Sequence, residues 1–294
     1  FYGKALPNEI ETHKLIFDML SNDEPCMIAR FGGTETKTIS NYLGIIENNP
    51  IKKVTNFLFM GRPFFWRKWV LRGIKQLSGF FPNDPKMVTK FCERFLNDLK
   101  YLDILKIWYN PDENYIYNRY CNHAEIIQNL DPFFVKKPWT KALEGKKVLI
   151  VHPFEKSIKE QYKKRENLFD NPVILPKFEL KTLKAVQTIA GNKSEFDTWF
   201  DALKYMEDEI SKIDFDIAII GAGAYGLPLA AHVKRIGKKS IHLAGQTQLL
   251  FGIKGARWDD PKKEVNALYN EYWVRPLPEE IPKEHTKVEG GAYW

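Results

Sequence analysis

Residues 214–245 read DFDIAIIGAGAYGLPLAAHVKRIGKKSIHLAG, and this stretch decides the fold class. Phe215 to Ile220 is an apolar run broken only by Asp216, which is the signature of a strand buried on both faces. The glycine-rich turn Gly221-Ala222-Gly223-Ala224-Tyr225-Gly226 follows. A helical segment to about Ile236 and a second strand, Ser240 to Leu243, complete a strand-turn-helix-strand unit. Working outward, Lys147 to His152 (KVLIVH) is another nearly all-apolar strand, ended by Pro153. A polar helix is expected from about Glu155 to Asn167, an extended piece at Val173 to Leu175, and a helix from Trp199 to Lys212. In the first half the pattern gives a helix over 8–20, a strand over Cys26–Phe31 and a helix over Thr34–Leu43. Helices near 63–78 and 84–99 follow, the second opened by Asp84-Pro85, an N-cap with proline at the first helical position. Strands are expected at Leu102–Trp108 and Tyr115–Cys121. Apolar strands alternating with helices predict an α/β, Rossmann-like architecture: a mostly parallel sheet with helices on both faces. No linker forces a boundary, so one domain over 1–294 is expected, with a basic aromatic helical insertion near 52–99. The proline-rich tail after Arg275 is expected to wrap the surface.

The chain has 294 residues, of which 44% are hydrophobic and 28% charged, enough apolar mass to exclude a disordered protein. Three cysteines cannot form a fully paired disulfide framework and point to a reducing compartment. No apolar run is long enough for a membrane-spanning helix and nothing reads as a signal peptide, so a cytoplasmic protein is expected.

The net charge is +7, and its location matters more than its size. Lys52, Lys53, Arg62, Arg67, Lys68, Arg72 and Lys75 account for the whole excess, in a stretch without one acid. Six aromatics share that stretch: Phe57, Phe59, Phe64, Phe65, Trp66 and Trp69. On a helical wheel Phe65, Trp66, Trp69, Val70 and Ile74 fall on one side and Arg67, Lys68, Arg72 and Lys75 on the other. Such a helix either lies in an anionic membrane interface, making the protein peripheral at the inner face, or packs its apolar side in the core and leaves a solvated basic face. No nucleic-acid motif accompanies the patch, so no nucleic-acid partner is expected.

Two strand-to-helix junctions carry the candidate chemistry. The Gly221–Gly226 turn fits G-x-G-x-x-G in the context that lets backbone amides approach a phosphate; the alternative is a tight turn whose glycines serve packing only. An NAD site would add an acid roughly 20 residues on. The strand there reads Ser-Ile-His-Leu-Ala-Gly, which counts against a dehydrogenase. The second junction is Arg30-Phe31-Gly32-Gly33-Thr34-Glu35. There Thr34 is a candidate N-cap, and Arg30 stands at a strand's carboxyl end, where open α/β sheets bind ligands. A guanidinium suits a phosphate, unless Arg30 is simply paired with an acid and Glu35 with the helix dipole. His152 ends a central strand on the same side. The segment 245–258 adds Gln248, Lys254 and Arg257 as groups suited to a sugar or a phosphate. No zinc-ligand spacing, nucleophile elbow or Walker A sequence occurs.

Taken together, the chain resembles the glycosyltransferases of the GT-D fold, in which an Arg-Phe-Gly-Asp-Gly-Glu-like motif ends an early strand. It is also similar to bacterial polysaccharide-locus proteins through KKVLIVHPFEKSIKEQY (146–162), residues 214–245, and QLLFGIKGARW (248–258). The resemblance implies a nucleotide-sugar donor, commonly a UDP-sugar, a saccharide or lipid-linked saccharide acceptor, and a divalent metal held by Asp-x-Glu. Here Gly33 stands in place of that Asp. Glu35 alone remains, to serve either as a ligand for Mg²⁺ or Mn²⁺ or as the base, and metal-independent transfer is the favoured expectation. Glu35 is the candidate catalytic residue. Arg30, Gly32, Gly33, Thr34, His152, Gly221, Gly223, Tyr225, Gly226, Gln248, Lys254 and Arg257 are the candidate donor-binding residues. A non-catalytic nucleotide-binding or scaffolding protein is the alternative.

Overall fold

The computed structural model describes residues 2–294. Seven parallel strands form one sheet: β1 (Met27–Arg30), β2 (Ile104–Lys106), β3 (Glu125–Ile127), β4 (Lys147–His152), β5 (Glu179–Lys184), β6 (Ile217–Ile220) and β7 (Lys239–His242). Their order is β3-β2-β1-β7-β6-β4-β5. Strands β4 to β7 make a doubly wound unit whose order reverses between β4 and β6, and β1 extends it by pairing with β7. A switch of this kind opens a crevice at the carboxyl ends of the strands.

Alternate side chains of each central strand enter two separate cores, as double coverage requires. Leu149, Val151, Ala218 and Ile220 face one core with α8 (Trp199–Lys212) and α9 (Gly226–Arg235). Val148, Ile150, Ile217 and Ile219 face the other, with α1 (Glu9–Ser21) and α7 (Glu155–Tyr162). Burying each such aliphatic side chain contributes roughly 1.5–3 kcal/mol. The helix ends follow the local chemistry. Asn8 with Glu11 and Thr198 with Asp201 form capping boxes for α1 and α8, and Asp84 caps α5 (Pro85–Asp98). Between α2 (Gly33–Ile45) and β2 the chain inserts α3 (Pro50–Phe59), α4 (Lys68–Ser78) and α5. Among the described residues no helix is long and apolar enough to cross a membrane, and all three cysteines are free and buried.

Several expectations are corrected. Tyr115–Cys121 is not a strand but the end of α6 (Pro111–Tyr120), started by Asn110 as N-cap, Pro111, and two acids in the first turn. Its buried Glu113, Ile116 and Tyr117 keep a helical period that the tyrosines obscure. Val173–Leu175 is a turn in which Asn171 Oδ1 accepts the Val173 N–H, and the strand lies later, at β5. The helix expected over 155–167 stops at Tyr162. The helix expected over 63–78 starts only at Lys68, so Phe65 and Trp66 lie outside it; Val70 and Ile74 are buried while Trp69 is exposed. The tail does not merely wrap the surface. It returns to the segment after β7, where Arg257 N–H donates to Ala292 O (2.9 Å) and Ala256 N–H to Trp294 O (3.1 Å).

Candidate functional site

A cavity of about 440 Å³ lies at the carboxyl ends of β1, β4, β6 and β7, within the usual size of small-molecule sites. Its walls include Arg30, Gly32, Gly33, Thr34 and Glu35 from the first junction, His152 from β4, and Gly221 and Gly223 from the glycine turn. Gln248 and Arg257 complete the set of sequence candidates that it gathers.

Arg30 enters the cavity from the end of β1. Its Nη1 donates to Gln246 Oε1 (3.0 Å), its guanidinium lies 4.5 Å from the Trp108 ring centre, and its buried Nε has no hydrogen-bond partner among the described residues. No ion pair joins Arg30 to a carboxylate among the described residues, so the simple ion-pair reading does not hold. Asp131 is the counter-charge that acts most strongly on it, and Gln246 bridges to Asp131 by a side-chain hydrogen bond. Burial pulls the guanidinium below its ordinary value against the pull of Asp131. A desolvated cation with an open donor is an anion site in chemical terms. Helix α2 starts beside it. Thr34 is not the N-cap: Gly32 holds that place, and no side chain caps the helix. The α2 N-terminus therefore adds its dipole to the Arg30 charge.

Glu35 occupies the first turn of α2 and is buried. Burial raises its carboxyl above the ordinary value, opposed by a hydrogen bond from Ser78 and by the Arg30 charge. Its carboxyl folds back over Gly32: a Cβ there would sit 1.9 Å from Glu35 Oε2. Glycine at 32 is thus what lets the carboxyl occupy this place. Because the obstructing atom ends a flexible side chain, Gly32→Ala should leave thermal unfolding nearly unchanged while moving the carboxyl. The expected outcome is a loss of about tenfold or more in any turnover that depends on Glu35, since small misplacements near the reacting atoms are costly. Circular dichroism melting alongside an activity assay checks both halves.

The two strand-end histidines are neutral. Burial holds His152 down to about 3, and its Nδ1 accepts the Phe154 N–H (3.0 Å), which leaves the ring proton on Nε2. Burial and the Arg30 charge hold His242 down to about 3. His242 lines the cavity and was not singled out in the sequence, although it ends the strand next to Arg30. Lys106, in register with Arg30 across β1 and β2, lies outside the cavity wall with Nζ over the Trp108 ring; burial and Arg30 pull its ammonium down to about 7.

Three candidates fall outside the cavity. Tyr225 is a core residue: its ring stacks on Trp199 at 4.9 Å and 7°, and its hydroxyl lies 3.4 Å from Thr188 Oγ1. Gly226 packs against the buried His242 ring, and a Cβ there would sit 2.0 Å from His242 Cε1. Lys254 is turned to Tyr269, with Nζ 5.0 Å from its ring centre. The glycine turn as a whole favours packing. A Cβ on Gly221 would meet Ala244 O (2.6 Å), His152 Cδ2 (2.6 Å) and Thr247 Oγ1 (2.8 Å), and the Gly221 and Tyr225 amides already donate to Val151 and Ala222. Gln248 ties the tail down by donating to Tyr293 O (3.0 Å), and Arg257 is ion-paired with Glu289 at the cavity rim.

Among the described residues no group of three or more His, Cys, Asp or Glu side chains gathers in a way that could hold a metal ion. Glu35 has no second carboxylate beside it at position 33, so these donors do not fit a resident Mg²⁺ or Mn²⁺ site of the Asp-x-Glu type. No protein-family model matches the chain, and none of the curated proteins or solved structures matches it either.

Proposed function

We propose that the chain is a glycosyltransferase that moves a sugar from a nucleotide diphosphate, a UDP-sugar by resemblance, to a saccharide or lipid-linked saccharide in surface-polysaccharide assembly at the cytoplasmic face of a membrane. The observation that carries this reading is the pairing, in one cavity, of a desolvated Arg30 without an ion-pair partner and a buried Glu35 of raised proton affinity. The donor's diphosphate would lie against Arg30 and the α2 N-terminus. The acceptor oxygen bonds to the anomeric carbon as the bond from that carbon to the phosphate oxygen breaks, with the electron pair leaving on the diphosphate. Glu35 takes the hydroxyl proton. Arg30 and the His152 Nε2–H stabilise the charge that develops on the leaving group. No step in this scheme uses a metal.

Calorimetric titration with UDP, a UDP-sugar and NAD, followed by a donor-hydrolysis assay, tests it. UDP should bind and NAD should not, because β7 ends in His242 rather than an acid. Arg30→Ala should weaken UDP binding by roughly 10- to 100-fold, the value of a charge-assisted hydrogen bond of about 1.5–3 kcal/mol. Binding with neither hydrolysis nor transfer to any acceptor would establish the scaffolding alternative instead. The observation in favour of that alternative is Gly33, which leaves Glu35 without the second carboxylate of an Asp-x-Glu pair.

A further inference from the structure

Helix α3 buries none of its residues. Ile51 is 75% exposed, Leu58 64% and Phe59 80%. The apolar surface continues through Met60, Phe64, Phe65 and Trp69, and the rings of Phe57, Phe64 and Phe65 cluster on the outside, with centroids 5.5–6.3 Å apart. An apolar patch this continuous marks an interaction surface. The core-packed reading of the basic stretch accounts for Val70 and Ile74 and, in part, for Trp66 and Leu71, but not for the exposed residues.

The charges around the patch identify its partner. Arg62 is withdrawn from it, buried against Asp112 and stacked 3.6 Å from the Tyr115 ring centre. Lys52, Lys68, Arg72 and Lys75 are exposed and Lys53 and Arg67 half-buried, and among the described residues none of the six makes an ion pair. A second copy seated symmetrically on this face would bring like charges together. Cations and aromatic rings on one face suit an anionic lipid headgroup layer, with the rings entering the interface and the amines at the phosphates. The surface also adjoins the cavity. Helix α4, which carries Lys68, Trp69 and Arg72 outward, places Leu77 and Ser78 in the cavity wall.

We propose that α3, residues 60–67 and the outer face of α4 dock the protein on an anionic bilayer, with the cavity mouth beside the lipid. This inference goes beyond the sugar-transfer reading and does not depend on it. The test is co-sedimentation of the full chain with phosphatidylcholine vesicles, with and without phosphatidylglycerol. Binding should require phosphatidylglycerol and weaken with salt. It should fall about 100-fold in a Lys68→Ala, Arg72→Ala, Lys75→Ala variant, at roughly fivefold for each lost cation. A Phe59→Ser, Phe64→Ser variant should also lose binding, and brominated lipid should quench tryptophan emission in the wild type but much less in Trp69→Phe. All these side chains are exposed, so melting and UDP affinity should stay at wild-type values, which separates failure of docking from failure of the site. Three outcomes overturn the proposal: no binding to phosphatidylglycerol vesicles at low salt, equal binding to neutral vesicles, or a dimer in solution that Phe59→Ser dissociates.

Discussion

Glu35→Gln should abolish turnover and stabilise the protein at neutral pH. A general base contributes about 10²- to 10⁴-fold to a rate, and on the proposed role of Glu35 the amide, which cannot take the proton, removes that factor. The effect on stability follows from the direction of the titration shift. Burial raises the folded-state carboxyl above its unfolded value. Stability from this group is therefore complete below the unfolded value and is lost as pH rises through the folded one. Glutamine stays neutral and has no such loss. The variant's melting temperature should match the wild type near the ordinary glutamate value of 4.5 and exceed it increasingly as pH rises above that value. Melting curves across that range, with a donor-hydrolysis assay on the same samples, check both halves. A variant with near-normal transfer removes Glu35 from the chemistry, and a stability difference that is flat with pH removes the buried carboxyl from the account.

Gly226→Ala should destabilise the fold by about 1–3 kcal/mol, the range for overpacking a filled interior. The added methyl would overlap the His242 ring, which is buried at the end of β7, so the ring or the backbone has to shift. Pairing it with His242→Ala makes the cause visible. The double variant should lose less than the sum of the two single variants, because the truncated ring no longer meets the new methyl. Urea unfolding of the four proteins measures the coupling. Additive losses would mean that glycine at 226 is needed for something other than its contact with His242.

The same residues show what could be read from the chain and what could not. Strands β4 and β6 were legible because both faces are covered, so Val148–Val151 and Ile217–Ile220 are unbroken apolar runs. Strand β5 is an edge strand whose residues are mostly half-buried, so it carries no such run. Arg30 and His152 were legible as cavity residues because they end strands on the ligand side of a parallel sheet, and Glu35 because it lies in the first turn of the helix that follows β1. Tyr225 was misplaced because a glycine fingerprint fixes the backbone and not the direction of the side chains between the glycines; this one turns to Trp199. The rim formed by Glu289, Tyr293 and Trp294 left no local signal. These residues reach the cavity through backbone hydrogen bonds from Ala256 and Arg257, a contact that only the folded chain creates.

The pairing of β1 with β7 has a consequence for biogenesis. Ser240 reaches the Cys26 carbonyl across 214 residues, and the register joins Met27 to Ser240 and Ile28 to Ile241. On a translating ribosome, β1 emerges early and can pair only with β2 until nearly all of the later unit has been made. Strands β4 to β7 follow one another in the sequence, whereas Arg30 and Glu35 lie on β1 and the helix after it, which must wait for β7. Closing so long a loop is slow. The cavity would therefore close late in maturation, and a nascent chain stalled before β7 would hold Arg30 and Glu35 with no chamber around them.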